Sequence, residues 1–302
     1  LFKTSGKGGT HTKTCLLVLE KKCDQLDEQG PIFMAEAKWC GRDSRGREIE
    51  NDDLPTILSN WRHGSNGASK KSASQFGYKI APDRLVDDTL APRYYAFDIV
   101  NDLANLNSTH ELVSIFELVE QGLLRISTGD EVGKLYYGTG PVPFVRTSDI
   151  STWEIKIDPK HCVSEEIYQT LAVKQDVQEG DILMVRDGTY LIGKCALVTS
   201  YDTQIVFQSH IYKLRSTDHA RLSPYLLIAL LSSEPVVQQI KARSHTQDII
   251  DSLGNRIYEI VLPIPKDEHR RHHIIQIVEK VIQDRIEARE LARQACIAVV
   301  QP

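Results

Sequence analysis

The chain has 302 residues, 41% of them hydrophobic and 25% charged, with a formal net charge of -5 at pH 7. Those are ordinary globular proportions, and the length suffices for one large or two medium domains; no run approaches the roughly 18 apolar residues of a membrane helix, and no secretory leader pattern opens the chain. Its six cysteines, Cys15, Cys23, Cys40, Cys162, Cys195 and Cys296, are scattered without a Cys-x-x-Cys pair, which excludes a disulfide or zinc framework and points to reduced thiols in a cytoplasmic protein.

The chain opens Leu1-Phe2-Lys3 rather than with Met, as expected of a fragment or a processed product. Thr14-Cys15-Leu16-Leu17-Val18-Leu19 is a continuous apolar run that reads as a buried strand, and Pro31-Ile32-Phe33-Met34-Ala35 reads as a second. Asn51-Asp52-Asp53-Leu54-Pro55 then opens a short helix with Asp or Asn as its cap. From 61 to 74 the composition shifts to Gly, Ser, Asn, Lys and Arg, the mark of a linker. Leu112, Val113, Ile115, Phe116, Leu118 and Val119 show helical spacing that ends at Gly122.

Gly138-Thr139-Gly140-Pro141-Val142-Pro143 punctuates the start of the next unit, where apolar runs predict strands at 144–146, 182–185, 192–198 and 205–214. Within it, Asp187-Gly188 stands between two apolar runs, a hairpin signal because glycine supplies the positive φ such turns need. The tip of that hairpin carries Arg186, Asp187, Thr189 and Tyr190. Leu222-Ser223-Pro224 opens a helix with Ser223 as cap and Pro224 in its first position. A strand over 257–262 stops at Pro263-Ile264-Pro265. Finally Ile274, Ile277, Val278, Val281, Ile282, Ile286, Leu291, Ala292 and Ala295 line one face of a charged helix from about 268 to beyond 295. At roughly 45 Å that helix is longer than one small domain covers. Two readings stay open: a partner helix or coiled coil buries the remainder, or the helix packs along its own domain.

Several apparent motifs dissolve on inspection. Ser5-Gly6-Lys7-Gly8-Gly9-Thr10-His11-Thr12-Lys13-Thr14 has Thr12 where a P-loop requires glycine, and a strand rather than a helix follows. His269, His272 and His273, interleaved with Arg270 and Arg271, read as the solvated start of the terminal helix, and no metal is expected there. Asp87-Asp88 and Glu165-Glu166 are adjacent carboxylates, not the separated pair of acid–base chemistry.

What remains is a set of polar turns: Arg146, Thr147 and Ser148 at one strand end, the hairpin tip, Gln208 and His210 in another strand, and Lys241, Arg243 and Gln247 past a helix. Arg and Lys contact guanine edges or phosphates, Gln and Asn adenine edges, and Ser or Thr either. A net charge of -5 argues against a chain that coats nucleic acid, yet leaves room for a local basic face. Any one of these turns alone reads as plain surface.

Residues from about 132 to 300 resemble the target-recognition half of a type I restriction-modification specificity subunit. The resemblance runs through Gly140-Pro141-Val142-Pro143-Phe144-Val145-Arg146-Thr147-Ser148-Asp149-Ile150, Gly180-Asp181-Ile182-Leu183, Asp187-Gly188-Thr189 and Ile192-Gly193. It continues through Leu222-Ser223-Pro224-Tyr225-Leu226-Leu227, Leu253-Gly254 and Ile260-Val261-Leu262-Pro263-Ile264-Pro265, followed by the long helix. The first sixty residues resemble the tail of an N6-adenine DNA methyltransferase, on 9–21, 32–35, Gly41-Arg42-Asp43-Ser44-Arg45-Gly46 and Asp52-Asp53-Leu54-Pro55. No Asn-Pro dipeptide occurs, so that family's Asn-Pro-Pro-Tyr or Asn-Pro-Pro-Phe motif is missing, as is its glycine-rich cofactor loop. No catalytic or S-adenosylmethionine residue is carried over.

The resemblance implies an α+β (mixed α/β) protein: a recognition globule with a twisted mixed sheet, plus a long C-terminal helix. It places a methyltransferase-like end at 1–60, a linker and helical connector at 61–125, a target-recognition domain at 126–265 and a helical spacer or dimerisation arm at 266–302. The implied function is recognition of double-stranded DNA that directs adenine-N6 methylation, and in some systems restriction. S-adenosylmethionine would bind an upstream region or a partner methyltransferase subunit, and the arm would pair with a second copy or another helix. Two other classes stay open, a self-sufficient adenine methyltransferase and a helical assembly protein that binds no DNA.

Overall fold

In a computed structural model, the described residues are 16–19, 21, 30–43, 46–63, 76–87, 89–95, 103–156, 158–188, 190–247 and 250–300. The glycine-rich stretch at 6–14, most of the 61–74 linker and Thr189 lie outside them. The chain divides into two compact units, Leu1–Asn101 and Asp102–Pro302.

In the first unit, β1 (Ile32–Met34) forms where the apolar run predicts it and pairs antiparallel with β4 (Tyr78–Ile80), Ile32 opposite Ile80. Between them, β2 (Cys40–Arg42) pairs antiparallel with β3 (Glu48–Asp52). Helix α1 (Leu54–His63) follows, and Asp52 accepts from the Leu54 amide at 3.0 Å. Asp53 folds back to accept from the amides of Lys38 and Trp39, each at 2.8 Å. The strand expected over 14–19 does not appear in its described part: Leu16 to Leu19 are exposed and belong to no strand.

The second unit begins with β5 (His110–Ser114), which runs straight into α2 (Ile115–Glu120). Here the helical spacing of 112–119 misleads, because the stretch divides at Ser114. Ser114 Oγ accepts from the Glu117 amide while the Glu117 carboxylate accepts from the Ser114 amide, a capping box that starts the helix there. The residues before it pair antiparallel with β15 (Val261–Pro265). That strand holds two prolines, tolerated because a two-stranded sheet leaves one edge of each strand without ladder bonds. The strand expected over 257–262 is therefore displaced, with a 3-10 turn over Gly254–Glu259 in front of it.

The main sheet is antiparallel, in the order β10 (Cys195–Leu197), β9 (Ile182–Val185), β12 (Ile211–Ser216), β6 (Leu124–Thr128). All four residues of β9 are buried, and their alternation feeds two cores. Ile182 and Met184 join Leu124, Leu214 and Leu227 on one face. Leu183 and Val185 join Val145, Ile150, Phe207 and Ile211 on the other. A second, mixed sheet sets β7 (Val142–Val145) parallel to β11 (Val206–Phe207) and antiparallel to β8 (Cys162–Val163). Its Phe144 packs with Val163 and Val206 against α3 (Glu165–Gln175). The adjacent Glu165 and Glu166 are thereby explained: they occupy the first turn of α3, where carboxylates complement the helix dipole.

Helix α4 (Pro224–Leu231) forms as the Ser223-Pro224 signal predicts, and α5 (Glu234–Arg243) follows it. After α5 come the paired strands β13 (His245–Gln247) and β14 (Ile250–Ser252). The last element, α6 (Glu268–Val300), has 33 residues and is about 50 Å long. Val278 and Ile282 are buried, with Ile274, Ile275 and Ile286 packed beside them. Arg285 donates to the carbonyl of Thr152, and Arg289 Nη2 lies 3.2 Å from Asp202 Oδ1. They are the last hydrogen bond and ion pair along the helix, among the described residues, to reach the rest of the unit. Beyond them Leu291 is 57% and Val299 84% exposed, so the described residues leave the end of the predicted apolar stripe, from Leu291 onward, uncovered. The observed class is α+β with a long terminal helix, as expected. No helix among the described residues is long and apolar enough to cross a membrane.

Candidate functional site

The backbone stitches four of the expected polar turns together at one end of the two sheets. The Gln208 amide donates to the carbonyl of Val145 at 3.0 Å, bringing the turn after β11 beside Arg146. The Arg186 amide donates to the carbonyl of His210 at 2.9 Å, which places the exit of β9 on the other side of that turn. The Leu253 amide donates to the carbonyl of Arg186 at 3.2 Å, and Asp187 bridges to Ser252 at the end of β14. Ser252 in turn faces His245, two residues after Arg243 at the end of α5.

Three local expectations change. Asp187-Gly188 is not a tight hairpin turn: β9 and its return strand meet where the Val185 amide donates to Lys194 O and the Gly193 amide to Val185 O. The reversal falls near Gly193, whose φ is 81°, and the return strand begins at Cys195 rather than Ile192. Residues 186–193 thus form a longer loop in which Tyr190 is 92% exposed. Gln208 and His210 lie in a turn, not a strand, because the expected run over 205–214 breaks into β11 and β12. Lys241 and Arg243 are in the last turn of α5 rather than past it.

Individual side chains then separate by burial. Asp187 is 5% exposed. Its Oδ2 accepts from Arg186 Nε at 2.8 Å and from His210 Nδ1 at 2.7 Å, and its Oδ1 accepts from Ser252 Oγ at 2.5 Å. Burial alone would raise this carboxyl; the hydrogen bonds from Arg186, His210 and Ser252 outweigh it and hold the group below the usual carboxylate range. The Arg186 guanidinium lies 6.0 Å from the centre of the Tyr212 ring, and burial pushes the Tyr212 hydroxyl up. Beside His210, Ser209 donates to Glu131, which stands 3.7 Å from His210 Nε2. Gln208 is itself buried.

Arg146 is half-buried, and its amide donates to Asp149 Oδ2 at 2.9 Å, closing the turn that carries Thr147 and exposed Ser148. Lys241 is exposed, whereas Arg243 Nε is 3.3 Å from Glu259 Oε2. Gln247 is in β13. Sequence reasoning missed Ser252, Glu131 and Tyr212. No local pattern marks them, because each reaches the site from a distant segment.

Behind this face, the opposite end of β9 is held by a buried ionic network. Asp181 accepts from Arg215 Nε at 2.6 Å and Nη2 at 2.7 Å, and from the Gln178 amide at 2.9 Å. Lys213 Nζ, 3.7 Å from Asp181, donates to the carbonyls of Gln175 at 2.5 Å and Asp176 at 2.6 Å. Burial lowers the Lys213 ammonium despite the neighbouring Asp181, while the hydrogen bond from Arg215 to Asp181 holds the guanidinium firmly protonated. Two aspartates therefore fix β9, Asp181 at its entrance and Asp187 at its exit.

No group of histidine, cysteine or carboxylate side chains among the described residues is arranged to hold a metal ion. Among the described residues, one small hollow lies at Trp153, Asp202 and Arg289, with room for little more than one water. Another is an open trough along α6 lined by Gln283, Glu287 and Gln294.

No family model matches the chain, and none of the curated proteins matches it. Solved structures similar to it include the type I restriction-modification S subunit from M. genitalium, 14% identical over 60% of this chain and 41% of that one, with a TM-score of 0.42. The HsdS subunit from Thermoanaerobacter tengcongensis is 14% identical over 79% of this chain and 61% of that one, with a TM-score of 0.37. The type IIG restriction endonuclease BpuSI is 13% identical over 74% of this chain and 33% of that one, with a TM-score of 0.44. The chain thus spans less than two thirds of each of these proteins.

Proposed function

We propose that the segment 126–265 is a DNA target-recognition domain of a restriction-modification system. In this reading Arg146, Thr147, Ser148, Arg186, Tyr190, His210, Lys241, Arg243 and Gln247 form the face toward the duplex, with Asp187 and Gln208 beneath it. The observation that carries the reading is the backbone pairing that draws the ends of β7, β9, β11 and β14 together, so that turns far apart in sequence form one polar face. A face of Arg, His, Gln, Ser and Tyr suits the donor and acceptor pattern of the major groove, and its lysine and arginines suit phosphates. The ordered motifs from Gly140 to Pro265 support the same assignment.

The domain would direct adenine-N6 methylation performed elsewhere, by an upstream region continuous with 1–60 or by a partner subunit. That partner or region would bind S-adenosylmethionine and supply the methyl group. The arm at 266–302 would be the spacer that engages the partner or a second copy, through the exposed turns beyond Glu290. Selection from a pool of randomised DNA duplexes tests the reading. The purified chain is expected to enrich one short motif, and a pool that stays random after repeated rounds would overturn it.

A further inference from the structure

We propose that Asp187 is the positioning residue of a guanine-reading arginine, holding Arg186 so that the open edge of its guanidinium meets N7 and O6 of one guanine. This rests on the DNA-recognition reading and assigns part of its target.

The geometry of the pair limits what Arg186 does. Its Nε and Nη2 both face Asp187 Oδ2, at 2.8 and 2.7 Å, so the side edge of the guanidinium is occupied. A guanidinium has five N–H groups in a rigid plane. Pairing the side edge leaves Nη1 and the second N–H of Nη2, two parallel donors on the end of the fork. No described residue accepts from Nη1, and the side chain is 28% exposed. A free donor pair of this kind needs two adjacent acceptors. Guanine presents N7 and O6 in the major groove, whereas adenine presents N7 beside an N6 donor that would face an N–H.

Asp187 is suited to hold rather than to read. Its side chain is 4% exposed, and besides Arg186 it accepts from His210 and Ser252. Those donors come from two other segments, so the carboxylate cannot turn toward a ligand without breaking bonds to both. A preorganised arginine loses less freedom on binding than a loose one, and misplaced bases then find no alternative rotamer. Lysine at 186 would keep the charge and lose the fork.

The test uses the motif enriched from the random pool, with each guanine replaced in turn by 7-deazaguanine, which lacks the N7 acceptor. The wild-type chain is expected to lose at least ~5-fold in affinity at one guanine. Arg186→Ala is expected to be indifferent to that replacement while keeping its response at every other guanine. Asp187→Asn, where its thermal unfolding stays cooperative, is expected to share this single indifference. An unchanged deazaguanine profile in Arg186→Ala would overturn the inference with the DNA reading intact, as would an equal loss on all duplexes, the mark of a phosphate contact. A cooperative Asp187→Asn with the wild-type profile would remove Asp187 from the role. Absence of any enriched motif would instead overturn the DNA reading itself.

Discussion

Asp181→Ala is expected to destabilise the unit spanning Asp102 to Pro302 by about 3 kcal/mol, the lower end of the cost of breaking a buried ion pair. The carboxylate is 1% exposed and faces two cations, Arg215 at 2.6 Å and Lys213 at 3.7 Å. Removing it leaves Lys213, itself 8% exposed, with backbone carbonyls alone. The effect stays at the lower end because Arg215 keeps Asp176, 2.6 Å away at the end of α3. The Gln178 amide also loses its acceptor, so the turn leading into β9 loosens along with the cations. A lowered urea midpoint at unchanged slope is the expected observation. A midpoint within experimental scatter of wild type would mean that the network is not needed to hold β9.

Gly129→Ala is expected to damage both stability and recognition. A Cβ at this position would lie 2.1 Å from the carbonyl oxygen of Phe207 and 2.5 Å from that of Gln208. Both obstacles are backbone, so the strain cannot be relieved by turning a side chain. The turn from Gln208 to His210 must move, and His210 carries the donor to Asp187. A loss of about 3 kcal/mol, at the upper end of overpacking costs, is expected in thermal or urea unfolding, together with weaker discrimination between bases. Gly133→Ala is the matched control: its Cβ would meet nothing nearer than the Tyr136 side chain at 3.5 Å, and its φ is -60°. It is expected to change stability by no more than ~0.5 kcal/mol.

The elements read correctly from sequence are those whose signals are local. Ser223 before Pro224 announced α4, and the apolar stripe from Ile274 onward announced α6. The misread elements are those settled by a distant partner. Leu112 and Val113 follow a helical period, yet β15 recruits them into a strand that Ser114 then terminates. The Asp187-Gly188 signal is genuine turn chemistry, but the register of β9 against β10 puts the reversal near Gly193 instead. Likewise Gln208, Ser209 and His210 continue an apolar run in sequence but leave the strand, where Gly129 and Gln175 press against the backbone of Phe207.

The polar residues of the candidate face were legible as residue types. Their division of labour was not. Arg186 and Asp187 look equivalent at a turn tip, and only Ser252 and His210, brought in by folding, reveal that one carboxylate is buried and one guanidinium edge is free. The aspartate that looked like a reader therefore sits beneath the face as its support.

The most direct test is the ratio of affinities for the enriched duplex and for a shuffled duplex of the same length and composition, at about 0.15 M salt. Recognition by this face is expected to give a preference of ~10³-fold or more that persists as salt is raised and both affinities fall. Equal affinity for the two duplexes would contradict the account.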